Sequence, residues 1–91
     1  MTVKFFATYR GITKCSQADL PAGRDIWALL NYLGERYGDQ IRKELFTPDG
    51  NGIGNDAIIL VNGRNILYLN GKDTALAETD SVSIFPLVAG G

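Results

Sequence analysis

The chain has 91 residues, 45% of them hydrophobic, with 9 basic and 10 acidic side chains and a formal net charge of −1. That length suits one domain, in which roughly 60–65% of the unfolded surface can be buried, and the even charge balance removes the electrostatic basis for binding nucleic acid or an anionic membrane. There is no histidine and one cysteine, Cys15, which excludes His-dependent triads, His-ligated metals, structural zinc and iron–sulfur clusters. Catalysis by this chain alone is therefore not expected.

No apolar run approaches the roughly 18 residues of a membrane span. The N-terminus shows no basic region followed by an apolar stretch, so no secretory leader is expected, and the default expectation is cytoplasmic residence.

Taken in order, Val3-Lys4-Phe5-Phe6-Ala7 reads as a strand, with Val3, Phe5 and Ala7 on one face and Lys4 and Phe6 on the other. Arg10-Gly11 signals a turn, and a weaker strand over residues 13–18 is expected to pair back as a hairpin. Asp25 is placed to cap a helix in which Ile26, Leu29, Leu30, Leu33 and Tyr37 form a continuous apolar stripe. Gly38 is placed to end it, and Gly34 inside it points to local weakness or close packing. A short helix is expected over residues 41–46. Residues 47–56, rich in Gly, Asn, Asp and Pro, read as a loop.

Residues 57–61 are an apolar run suited to a buried strand, and Asn62-Gly63 is a strong hairpin signal because both central residues of a type I′ turn need positive φ. Residues 65–69 are expected to form the partner strand, and Asn70-Gly71 another turn. Leu76 reads as a core anchor, and Asp80 as a residue that fixes a turn. Residues 82–85 form the last strand, followed by an extended tail over residues 86–91.

The order β-β-α-β-β-β, with a short extra helix, predicts an α+β fold: a mixed sheet of four or five strands packed on one main helix. The helix stripe would face Val3, Phe5, Val82 and Ile84, and the first and last strands would lie parallel in the centre. This is the β-grasp arrangement, as one domain over residues 1–91.

The most informative feature is the closing Gly90-Gly91. Glycine has no Cβ, so a nucleotide-binding cleft can close around both sides of the backbone that carries the carboxylate. That carboxylate can attack the α-phosphorus of ATP, releasing pyrophosphate. The resulting acyl-adenylate can accept sulfur from a persulfide, or an amine. Neither reaction needs a catalytic side chain from this chain.

Val61-Asn62-Gly63, Asp80-Ser81-Val82-Ser83-Ile84-Phe85-Pro86 and Val88-Ala89-Gly90-Gly91, with the opening Val3-Lys4-Phe5-Phe6-Ala7 and Arg10, resemble the MoaD family, the small subunit of molybdopterin synthase. The resemblance implies a ubiquitin-like β-grasp sulfur carrier, not an enzyme in its own right. It implies a Gly91 carboxyl that is adenylated and thiocarboxylated by a ubiquitin-activating-type adenylyltransferase, with Gly90 giving access. ATP would be used by that partner, and no cofactor is bound by the chain. Sulfur would pass to a pterin precursor held by the large subunit of molybdopterin synthase, in molybdenum or tungsten cofactor synthesis. Where the family often has glycine before the turn aspartate, this chain has Thr79. Where it often has two prolines, this chain has Pro86-Leu87. The long segment over residues 39–56 is also seen in carriers for cysteine synthesis. A carrier for cysteine or thiamine synthesis, or a ubiquitin-like protein modifier, is the alternative.

Strand alternation places Phe6 and Phe85 on the outer sheet face as a shared apolar patch beside the tail, with Ile66 or Leu67 joining it. Together with Pro86, Leu87, Val88 and Ala89 they are the expected partner-binding residues, and carriers of this family dock through that face. Trp27, one position off the helix stripe, is expected to be partly exposed. Cys15 reads as a packing or surface residue.

Overall fold

The computed structural model describes residues 1–87. β1 (Thr2–Phe5) and β5 (Ser81–Pro86) run parallel, with Val3 opposite Val82 and Phe5 opposite Ile84. β2 (Gln17–Asp19) flanks β1 on the other side. β3 (Ala57–Val61) flanks β5, and β4 (Arg64–Asn65) lies beyond it. The five strands are ordered β2-β1-β5-β3-β4, with every neighbouring pair antiparallel except the central one. This is the β-grasp architecture expected from the sequence.

The main helix packs on one face of that sheet. α2 (Ile26–Tyr37) begins where Asp25 accepts a hydrogen bond from the Ala28 N–H at 2.9 Å. It ends at Gly38, whose φ of 81° side chains rarely adopt. Ile26, Leu29, Leu30 and Leu33 are buried with Val3, Phe5, Val82 and Ile84 in one core. Each such side chain contributes about 1.5–3 kcal/mol relative to exposure. Tyr37 meets the Phe5 ring edge-on, with centroids 6.2 Å apart. α3 (Asp39–Leu45) follows, starting two residues earlier than expected and ending one earlier, and buries Ile41 and Leu45. Gly34 has a packing reason: a Cβ there would lie 3.1 Å from the Arg42 side chain.

Three expectations are corrected. The first concerns the link after β1. Residues 13–18 do not form a strand; α1 (Thr8–Thr13) contains the supposed Arg10-Gly11 turn, and only Gln17–Asp19 pairs with β1. Burial explains this. α1 puts Tyr9 fully inside the core, where its hydroxyl donates to the Glu44 carbonyl at 3.1 Å. The second concerns Ala7, which does not share the inner face of Val3 and Phe5. The chain leaves the strand through a turn closed by Tyr9 N–H to Phe6 C=O at 3.1 Å, with Ala7 at φ 52°, ψ −121°, and Ala7 is exposed. The third concerns β4, which stops after two residues. Asn65 caps a 3₁₀ turn (Ile66–Tyr68) by accepting from the Leu67 N–H at 2.9 Å, and that turn carries Ile66 into the core.

The hairpin forms as expected, with Asn62 and Gly63 at φ 52° and 83°. Leu76 is half-buried against the core.

Candidate functional site: the outer sheet face and the root of the C-terminal segment

Alternation along β5 sends Val82 and Ile84 inward and leaves Ser83 and Phe85 on the opposite face. The backbone keeps its course for one residue past β1, where the Phe6 N–H donates to the Ile84 carbonyl at 3.1 Å. Phe6 therefore emerges beside Phe85. Their rings meet edge-on with centroids 5.8 Å apart, and Phe6 remains 42% exposed. On the far side of β5, Ile58 is in register with Phe85, and Leu60 with Ser83. Both are half-buried and alternate with the inward Ile59 and Val61. The outer face thus carries an apolar strip of Phe6, Phe85 and Ile58.

The root of the C-terminal segment is fixed by the backbone. Pro86 remains in β5, opposite Ala57, and the Leu87 N–H donates to the Asp56 carbonyl at 2.8 Å. The expected tail over residues 86–91 therefore starts one residue later at the least. Leu87 is 55% exposed. It forms one wall of a cleft of about 510 Å³, whose other walls include Ile53, Ala57, Ile58, Leu67 and Lys72.

Of the predicted docking residues, the structure brings Phe6 and Phe85 together, holds Pro86 half-buried in the sheet and exposes Leu87. Of the two residues expected to join the patch, Ile66 is buried in the core, whereas Leu67 is prominently exposed. Val88, Ala89, Gly90 and Gly91 lie outside the described residues. Ile58 and Leu60 were missed as outer-face residues, although their alternation with Ile59 and Val61 would have given them. Trp27 is half-buried as expected. It packs edge-on to Phe46 with Lys72 Nζ 4.8 Å from its ring centroid.

Asn62 donates to Asp80 at 2.8 Å, and Asp80 also accepts from the Ala77 N–H at 2.8 Å. The Asn62 side chain and the Ala77 amide together hold the Asp80 carboxyl below the usual carboxylate range. Burial pushes the Tyr9 hydroxyl up to about 12, helped by the charges of Glu44 and Asp56. Among the described residues no group of three or more His, Cys, Asp or Glu side chains is placed to hold a metal ion. The arrangement presents an apolar outer face on the strand that precedes the C-terminal segment.

The ThiS family model matches residues 3–91. The chain belongs to the ThiS family. These are ubiquitin-like sulfur carriers, and relatives carry related names. Small archaeal modifier protein 3 from Haloferax volcanii and a protein named as a sulfur carrier from Archaeoglobus fulgidus are each 54% identical over 33 residues. Those matches cover 36% of this chain and only 36% and 38% of the relatives' own lengths. Over nearly the whole chain, the solution structure of small archaeal modifier protein 1 from Methanosarcina acetivorans is similar, with 28% identity and a TM-score of 0.83, covering 99% of this chain and 94% of that one. A Pyrococcus furiosus structure assigned as molybdopterin converting factor, subunit 1, is 30% identical with a TM-score of 0.70, covering 96% and 95%. The ThiS-family match extends through Gly90-Gly91, beyond the last described residue.

Proposed function

We propose that this ThiS-family chain carries sulfur as a thiocarboxylate on Gly91, formed by a ubiquitin-activating-type adenylyltransferase and delivered in molybdopterin synthesis. The observation that supports this most directly is the double role of β5. That strand sets Phe85 outward beside Phe6 and leads directly into the segment ending in Gly90-Gly91. Leu87 and Gly91 are four residues apart, a reach of at most roughly 14 Å. A protein docked on the outer face is therefore near enough to take the carboxyl into its own nucleotide site.

In that site a Gly91 carboxylate oxygen attacks the α-phosphorus of ATP and pyrophosphate leaves. The terminal sulfur of a persulfide then attacks the acyl carbon and displaces AMP. A second thiol reduces the acyl disulfide to the thiocarboxylate. This chain supplies the carboxyl, two glycines that leave the backbone accessible, and a docking face; the partner supplies ATP binding and acid–base chemistry. The large subunit of molybdopterin synthase would then present the pterin precursor to the same terminus.

Pyrophosphate exchange measured with the purified adenylyltransferase of the same genome tests this. Exchange should require Gly91. Phe85→Lys should raise the KM for this chain at least tenfold while leaving the circular dichroism spectrum unchanged. Exchange that persists after deletion of Gly90-Gly91 would refute the reading, and a Phe85→Lys chain that unfolds would show Phe85 to be core.

Two other readings have specific support. The modifier names of the archaeal relatives favour transfer of the Gly91 acyl group to lysine amines. The long segment before β3 favours a carrier for cysteine synthesis. Offering the thiocarboxylated chain to the synthase large subunit with its pterin precursor separates these: sulfur should leave the chain under the first proposal and stay under the others.

A further inference from the structure

The sequence contains three Asn-Gly steps, at Asn51-Gly52, Asn62-Gly63 and Asn70-Gly71. Such steps are chemically labile because glycine offers no side chain to shield its amide nitrogen. By sequence the three are equivalent. The structure separates them by what holds the two reacting groups, the Asn side-chain amide and the following N–H.

At Asn62 the side chain is engaged at both ends. Its Nδ2 donates to Asp80 at 2.8 Å and its Oδ1 accepts from the Ser81 N–H at 2.9 Å. At Asn51 the nucleophile is engaged, because the Gly52 N–H donates to Thr47 Oγ1 at 3.1 Å. At Asn70 neither group is held. Among the described residues its side-chain amide and the Gly71 N–H have no hydrogen-bond partner, and Asn70 is exposed. The surrounding backbone is a short 3₁₀ turn (Gly71–Asp73), secured by Asp73 N–H to Asn70 C=O at 3.0 Å and Asn70 N–H to Thr74 Oγ1 at 3.1 Å. Asn70 sits at φ −106°, ψ 24°, so ring closure requires a rotation about ψ. Those two bonds are what that rotation must break.

We propose that Asn70-Gly71 is the site of spontaneous deamidation in this protein. The Gly71 nitrogen loses its proton to solvent base and attacks Asn70 Cγ. Ammonia leaves and a five-membered succinimide forms. Water then opens either carbonyl, giving aspartate or isoaspartate. Each product adds one negative charge, and isoaspartate also lengthens the backbone by a methylene group. Gly71 and Lys72 line the cleft beside Leu87, so the change falls at the root of the C-terminal segment.

Incubation of the full chain at mildly alkaline pH, followed by tryptic peptide mapping, tests this. Cleavage after Arg64 and Lys72 isolates residues 65–72 with Asn70, while Asn51 and Asn62 lie together in residues 44–64. Asn70 should deamidate several-fold faster than Asn51 and Asn62. In concentrated urea the three rates should converge. Asp80→Ala should accelerate Asn62 several-fold in the folded chain. Faster reaction at Asn51 or Asn62 in the native protein, an unchanged ranking in urea, or no acceleration of Asn62 by Asp80→Ala would each overturn the assignment.

Discussion

Single residues decide where the apolar outer face begins. Ala7 occupies the first central position of a turn whose ideal angles are roughly φ +60°, ψ −120°, a region that favours glycine. The strain is placed directly after Phe6, and the reversal it produces separates the outward Phe6 from the inward Tyr9. Ala7→Gly should relieve strain by more than the added unfolded-state entropy costs, a net gain of about 1 kcal/mol read from urea denaturation. Gly54 is the opposite case. A Cβ there would lie 3.2 Å from the Glu44 carbonyl oxygen and 3.3 Å from that of Phe46, both backbone atoms that cannot swing aside. Gly54→Ala should therefore destabilise the fold by about 1–3 kcal/mol in the same assay. Neither position was legible in advance. Alternation from Val3 and Phe5 placed Ala7 inward because counting assumes that the strand continues. Gly54 looked like one more loop glycine because the carbonyls it meets belong to the end of α3 and the residue that follows it.

At the level of elements, legibility followed the number of independent signals. α2 was readable because cap, stripe and terminal glycine agree. The hairpin was readable because Asn62-Gly63 suits positive φ. α1 was not, because six residues containing Gly11 and lacking a side-chain cap carry no helical signature; Tyr9 burial drives its formation. The pH dependence of Tyr9 checks that account. Its folded-state value lies near 12 against an ordinary 10.0, so the neutral hydroxyl is favoured in the fold. The associated stability is complete below pH 10 and is lost as pH rises toward 12, by about 3 kcal/mol. Tyr9→Phe should lose the Glu44 hydrogen bond at neutral pH but flatten this alkaline decline. The Asn62–Asp80 clasp, which ties the hairpin turn to the start of β5, should behave with the opposite sign. Because the folded value of Asp80 is lowered, its contribution is present above the ordinary carboxylate range and lost as pH falls through the lowered value. Asp80→Ala should therefore lower the melting temperature at neutral pH and change it little in strong acid.

Across the whole molecule, the β-grasp fold gives one central strand two faces and sets it directly before the C-terminal segment. The inner face of β5 joins the core through Val82 and Ile84, and its outer face presents Phe85 to Phe6. These relations were legible because a central parallel pair fixes which side chains share a face. The cleft beside Leu87 was not, since it depends on a 3₁₀ turn where a strand was expected. The proposed chemistry ends at the Gly91 carboxyl. The most direct test is intact mass spectrometry after incubation with the adenylyltransferase, ATP and a persulfide donor with reductant. The account predicts that one oxygen of the terminal carboxyl is replaced by sulfur, only when ATP is present and only in chains that retain Gly91. An unchanged mass under complete conditions, with an adenylyltransferase shown to be active on another carrier, would contradict it.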